Sequence, residues 1–327
     1  MKMQLLKVHG SLNQFFLLDQ TQLQQPLTST QLAQLVQNLA QAPNFGLVDG
    51  LLVIDQPSDP EAIAQMRVFN ADGSQASMCG NGLRTVARYL ADQNHLDQFQ
   101  VQTPQQTLQV KRYPDLAPQV PAFGVEISPV SFALPKIGLT NVNATELINQ
   151  PLPELDPQLT FTAIAVPNPH LISFVDDLSD QENRLVALGQ RLNAPNPYFP
   201  DGVNLSFAQI LADQQLFVQT FERGVGLTNA CGTGMSATSL AFVLTYPQQA
   251  QLDKSITVYN PGGLVQVKVH QVQNRYWMEL IGNATIMGHL TLSEATLHDS
   301  NADFTQIKLT LSPEVATYEQ RATKYRN

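Results

Sequence analysis

Short apolar bursts broken by polar residues run along most of the chain. Leu51–Ile54, Met66–Phe69, Phe161–Val166, Leu171–Val175, Leu216–Glu222, Ile256–Tyr259, Leu264–His270 and Tyr276–Ile281 are brief and rich in Val, Ile, Phe and Tyr. Runs of this length and composition predict strands. Asp72-Gly73 and Asn260-Pro261-Gly262-Gly263 separate such runs as hairpin turns do, so the sheets should be antiparallel or mixed. Strands do not alternate regularly with long helices, which disfavours a doubly wound sheet. Residues 104–120 and 141–160 show neither period and are expected to be loops or irregular connections.

Helical spacing marks four segments. Thr30–Leu39 is amphipathic, and Ser179–Leu192 is a second surface helix. The other two each follow a cysteine. After Cys79, Leu83, Val86, Ala87 and Leu90 fall at i, i+3, i+4 and i+7. After Cys231, Ala237, Leu240, Ala241 and Leu244 repeat that spacing, with Met235, Phe242 and Val243 adding apolar faces. The second helix should be buried on most sides. A proline-rich stretch, Pro114–Pro135, lies between the two cysteine segments. The pattern suggests a pseudo-repeat of two similar domains, 1–130 and 131–290, followed by an extension, 291–327.

Composition narrows the function. The 18 Lys+Arg are outnumbered by 27 Asp+Glu, giving a net charge of -9, so nothing favours a nucleic-acid partner. Lys7 interrupts any N-terminal apolar segment, and Ala237–Leu244 is too short to span a bilayer. A cytoplasmic protein without a membrane partner is expected. Only two cysteines occur among 327 residues, and neither sits in metal-ligand spacing, so neither a disulfide scaffold nor a zinc site is expected.

Each cysteine instead precedes Gly-x-Gly at a helix start. First-turn N–H groups lack intrahelical acceptors and carry the positive end of the helix dipole, which stabilises a thiolate or a bound carboxylate. Two thiols in matching contexts suit a stereochemical inversion, one removing an α-proton as thiolate and the other supplying a proton to the opposite face. The amino-acid α-proton lies roughly ten pKa units above a thiol, about 14 kcal/mol. The backbone N–H groups of Gly80, Asn81, Gly232 and Thr233 are the expected stabilisers of the enolate-like intermediate, since no cofactor motif is visible. A thiol hydrolase using one cysteine with His170 as base is the competing reading. It leaves the duplication unexplained.

The segments FNADGSQASMCGNGLRTVARY (69–89) and FERGVGLTNACGTG (221–234) closely resemble the diaminopimelate epimerases. HGSLNQF, FGLVDGLLVI, PNPHLI, FPDGVNLSF and PGG follow the family's order, and the resemblance covers most of residues 1–290. It implies a mixed α+β fold of two pseudo-symmetric domains, each a curled sheet around a central helix, with the active site in the cleft between them. It also implies interconversion of LL- and meso-2,6-diaminopimelate without a cofactor or metal. Cys79 and Cys231 would be the thiolate/thiol pair, assisted by His170 and Glu222. Asn13, Asn70, Asn168, Asn204 and Arg223 would bind the distal amino-carboxylate end. Gln14, Pro167 and Leu227 depart from the family's usual residues, which leaves a histidine- or proline-type racemase as the alternative. The expected partner is a small-molecule amino acid, with a homodimer left open.

Overall fold

The structure is a computed structural model that describes residues 2–76 and 78–322. The chain forms two compact units. One holds the N-terminal stretch as far as Val125 and is completed by the chain from Ile281 onward; the other is Glu126–Leu280.

The first unit begins with β1 (Lys2–Gly10), β2 (Asn13–Asp19), α1 (Ser29–Gln41), β3 (Gly50–Asp55), β4 (Ala64–Asn70), β5 (Gln75–Ala76), α2 (Gly80–Asn94), β6 (Gln98–Gln102), β7 (Thr107–Ala117) and β8 (Val120–Ile127), whose last two residues belong to the second unit. β1 and β2 are antiparallel, β2 and β3 parallel, and β3 and β4 antiparallel. β4 then pairs antiparallel with β5 and parallel with β6, while β6–β7 and β7–β8 are antiparallel.

The second unit contains α3 (Leu134–Ile137), β9 (Gln150–Leu152), β10 (Asp156–Val166), β11 (Asn168–Phe174), α4 (Glu182–Asn193), β12 (Asn204–Ala212), β13 (Gln215–Glu222), β14 (Gly226–Thr228), α5 (Gly232–Thr245), β15 (Ser255–Asn260), β16 (Gly263–Val272) and β17 (Arg275–Asn283), whose last residues enter the first unit. From β10 to β16 the pairings repeat those from β1 to β7, strand for strand and in the same parallel or antiparallel sense. The helices fall at the same places, so α1 corresponds to α4 and α2 to α5. The chain then adds β18 (Thr285–Ser293), α6 (Glu294–His298), β19 (Thr310–Leu311) and α7 (Glu314–Ala322) to the first unit. β18 pairs antiparallel with β1 and with β19.

Each sheet is covered on both faces. α1 starts at a reciprocal capping box between Thr28 and Gln31 and buries Leu32, Leu35, Val36 and Leu39 against Phe16, Leu18, Leu51 and Val53. Each such side chain contributes about 1.5–3 kcal/mol on burial. On the other face α2 contacts β1, β2, β3, β4 and β7. A Cβ on Gly82 would stand only 2.6 Å from Leu52 Cδ2, so the helix start lies almost on β3. The uninterrupted GLLVI of β3 follows from this, because neither face of the strand meets water. In the second unit α4 packs Leu185, Leu188 and Leu192 against Leu205 and Phe207, while α5 is buried from Gly234 to Val243.

Residues 104–120 and 141–160 correct the loop expectation. The first forms the β7–β8 hairpin and the second includes β9 and the start of β10. Prolines obscured both: Pro114 falls in the register shift between Tyr113 and Ala117, and Pro157 in that between Asp156 and Thr160. α4 starts at Glu182, after an Asp177 side chain that accepts from Ser179 N–H at 2.8 Å and holds the preceding turn. Residues 281–290, placed by sequence in the second domain, lie in the first unit, as do the described residues of the 291–327 extension. Residues 323–327 lie outside the described residues. No described helix is long and apolar enough to cross a membrane.

Candidate active site

Both cysteines are helix N-caps. Cys79 precedes α2 with extended backbone, φ -143° and ψ 107°, and its Sγ accepts from Gly82 N–H at 3.3 Å. Cys231 precedes α5 with φ -104° and ψ 105°, and its Sγ accepts from Gly234 N–H at 3.4 Å. A sulfur thus takes the place usually held by a Ser or Asp oxygen, where the helix start favours negative charge. Gly80 and Asn81 open α2 and are buried; Gly232 and Thr233 open α5. Their N–H groups belong to the first turns, as the sequence reading required.

In the first unit the Cys79 thiol contacts Asn13 Oδ1 at 3.7 Å across the start of β2. Cys79 is half-buried. Asn70 ends β4, is exposed, and donates from Nδ2 to Ser74 Oγ at 2.9 Å within the Asp72-Gly73 turn.

In the second unit the Cys231 thiol is buried and hydrogen-bonded to Glu222, with Thr233 Oγ1 at 3.6 Å. Burial raises the thiol's pKa well above its ordinary value and the Glu222 charge adds to the effect; the bonds from Thr233 and Gly234 oppose it. Burial also raises the Glu222 pKa, against bonds from Thr228 and Cys231. Cys231 is therefore a protonated thiol at neutral pH. The Thr228 hydroxyl donates to Glu222 Oε1. Sequence reading did not single out Thr228, nor the Thr233 side chain; the only signal was their position on either side of Asn229-Ala230-Cys231.

His170 is fully buried beside Asn168, with Nε2 at 3.0 Å from Asn168 Oδ1. With the proton assigned to Nε2 by that bond, Nδ1 is an acceptor, and it has no hydrogen-bond partner. Burial, reinforced by Arg223, lowers the imidazole to about 3, so the ring is neutral. Asn204 is tied to backbone at both ends of its amide, donating to Pro169 O at 3.0 Å and accepting from Arg223 N–H at 2.9 Å. Arg223 is exposed at the end of β13, and its Nη1 donates to Asp201 O at 3.3 Å. Thus Cys231, Glu222, Thr228 and Thr233 form one bonded group, while His170 pairs with Asn168 and Asn204 with the Arg223 backbone.

Register places the two halves in correspondence. Phe15 pairs with Gly50 across β2 and β3, as His170 pairs with Asn204 across β11 and β12. Asn13 and Asn168 open equivalent strands, and Asn70 and Glu222 close equivalent strands. The proposed site residues occupy matched positions of a duplicated fold.

The sequence profile described as diaminopimelate epimerase matches residues 5–120 and 162–287. The chain belongs to the diaminopimelate epimerase family. Among curated relatives of that name, the protein of Lactiplantibacillus plantarum is 48% identical over 326 residues, covering 98% of this chain and 97% of the relative. That of Ligilactobacillus salivarius is 49% identical over 305 residues, covering 92% and 93%, and that of Enterococcus faecalis 46% over 325 residues, covering 98% of each. Solved structures share the fold at low identity. A Bacillus anthracis phenazine biosynthesis protein of the PhzF family superposes with TM-score 0.62 at 12% identity over 90% of this chain and 99% of its own. A hydroxyproline epimerase from Agrobacterium vitis gives TM-score 0.58 at 15% identity, covering 89% and 91%. The family assignment makes this chain a cofactor-independent isomerase, and Cys79 and Cys231 hold the same place in its two repeats.

Proposed function

We infer that this epimerase interconverts LL- and meso-2,6-diaminopimelate in the supply of lysine and peptidoglycan precursors, acting in the cytoplasm on a small diamino-dicarboxylate. The observation that carries the reading is the occurrence of one cysteine at the same N-cap of each repeat.

Cys231 holds its proton, so the base is assigned to Cys79. The Cys79 thiolate takes the α-proton and becomes a thiol; Cys231 gives its proton to the opposite face and becomes a thiolate. Charge and protons balance, and the centre is inverted. The Gly80, Asn81, Gly232 and Thr233 N–H groups receive the charge that moves onto the α-carboxylate. Neutral His170 offers an acceptor at Nδ1, while Glu222 stabilises the thiol form of Cys231. Arg223 with Asn13, Asn70, Asn168 and Asn204 selects the unreacted end, because a guanidinium holds a carboxylate bidentately and amides both donate and accept.

The test is turnover in deuterated water with LL-diaminopimelate, L-histidine, L-proline and L-glutamate offered separately to reduced enzyme. Deuterium should enter the inverted α-carbon of diaminopimelate alone, and Cys79→Ser and Cys231→Ser should each abolish turnover. Inversion of another substrate with none of diaminopimelate would overturn the reading.

A further inference from the structure

Arg84, on α2 five positions past Cys79, is fully buried. Its Nε donates to Asn283 O at 3.2 Å and its Nη2 to Ser11 Oγ at 3.0 Å, while Nη1 has no hydrogen-bond partner. Two glycines make room for it. A Cβ on Gly10 would approach Nη2 to 3.0 Å, and one on Gly282 would approach Cζ to 2.8 Å. A chain that excludes two side chains to house an unneutralised guanidinium has a use for the charge, since an incompletely bonded buried cation is costly.

The acidic groups whose fields reach Arg84 are Tyr318 and Cys79. Burial lowers the guanidinium to about 10, which leaves it charged at neutral pH. His9, facing it from β1, is lowered to about 3 by burial and by the charges of Arg84 and Lys7, so it adds no second cation.

The turn that holds Ser11 against Arg84 is met by a residue from the other end of the chain. The Tyr318 ring on α7 meets His9 edge to face, with centroids 4.5 Å apart, and packs with Val120, Leu12 and Leu116. α7 is fastened by Glu314, which takes a two-pronged bond from Arg88 of α2 at 2.6 and 2.7 Å and accepts from Ile286 N–H at 3.1 Å. Leu12 and Ser11 form the left-handed turn between β1 and β2, with φ 64° and 52°, and Asn13 follows directly. Tyr318 therefore touches the turn that delivers both Ser11 to Arg84 and Asn13 to Cys79. α7 lies beyond residue 287, where the family profile stops.

We propose that Tyr318 is a positioning residue of the Cys79 centre: it braces the Ser11-Leu12 turn, and through the Ser11 hydroxyl the buried Arg84 guanidinium, so that this cation holds Cys79 as the proton-abstracting thiolate. The proposal rests on the reading of Cys79 as a catalytic base. Displacement of Arg84 would weaken its field at the sulfur and return it toward the behaviour of an ordinary thiol.

The experiment is the pH dependence of iodoacetamide alkylation at each cysteine, read peptide by peptide by mass spectrometry, beside the pH profile of kcat/KM. In the wild type Cys79 should be alkylated with a midpoint below the ordinary thiol value of about 8.5. Tyr318→Ala should raise that midpoint by about one unit, slowing Cys79 alkylation about tenfold at neutral pH, and should move the acid limb of kcat/KM with it. Cys231 should titrate as before, and Tyr318→Phe, which keeps the ring, should restore the wild-type midpoint. A folded Tyr318→Ala enzyme with an unmoved Cys79 midpoint, or with both cysteines shifted alike, overturns the proposal. Should Tyr318→Ala fail to fold, Glu314→Gln decides, a rise at Cys79 alone supporting it and no rise overturning it. Turnover by Cys79→Ser would instead overturn the assignment of Cys79 as base, whatever Tyr318 does to its titration.

Discussion

The Cys231 thiol is hydrogen-bonded to the Glu222 carboxyl, and the carboxylate's charge helps to keep the proton on sulfur. Glu222→Gln removes the charge and retains the shape. Cys231 should then ionise at lower pH and be alkylated faster at neutral pH. Its loss as proton donor should reduce kcat by about a hundredfold, within the usual range for a displaced acid–base group. Alkylation at Cys231 no faster than in the wild type would remove Glu222 from this role.

Asn204 binds backbone with both ends of its side chain, Pro169 O on one and Arg223 N–H on the other. Asn204→Ala should remove the donor to the half-buried Pro169 carbonyl, at a cost of about 1 kcal/mol. It should also release the start of the Arg223 turn. KM for diaminopimelate should rise about tenfold with a smaller change in kcat, because Arg223 serves binding rather than proton transfer; steady-state kinetics and denaturant unfolding check the two parts.

Gly82 sits where a methyl group would be 2.6 Å from Leu52 Cδ2 and 3.5 Å from Cys79 Sγ. Alanine in a helix is worth about 1 kcal/mol over glycine. Overpacking at a fully buried contact costs about 1–3 kcal/mol, so the clash should win. Gly82→Ala is expected to be less stable in chemical denaturation and, through displacement of the α2 start, less active. A variant more stable than the parent would show that the helix start shifts freely.

His9 has its pKa lowered from 6.5 to about 3 in the folded chain. The unfolded chain therefore binds the proton first as pH falls, and the stability from the neutral, buried ring is complete above about pH 6.5 and lost progressively toward pH 3. Melting temperature should decline across that interval, and His9→Gln should flatten the decline while lowering the plateau at neutral pH. Equal slopes in the two proteins would mean that other groups govern acid unfolding.

The helices at Cys79 and Cys231 were legible because the spacing of their apolar residues and the Cys-Gly-x-Gly before them both mark a helix start. α1 was legible for a similar reason. β7 and the start of β10 were hidden by prolines that sit in irregular register, where the missing N–H does little harm. Thr228 and Arg84 escaped notice because their importance is not local. A threonine beside a turn and an arginine in a helix read as solvent-facing until Glu222 and Ser11, distant or out of phase in sequence, are seen to hold them. The Tyr318 contact with His9 joins the two ends of the chain, and no pattern within either end reports it.

β18, made after the whole second unit, lies against β1 from Lys2 to His9. On the ribosome the order of completion is therefore inverted. The half that contains Cys231 emerges whole while the half that contains Cys79 still presents the bare edge of its first strand. Released chains ending at residue 283 should be open to chaperones and proteases at the amino-terminal half alone.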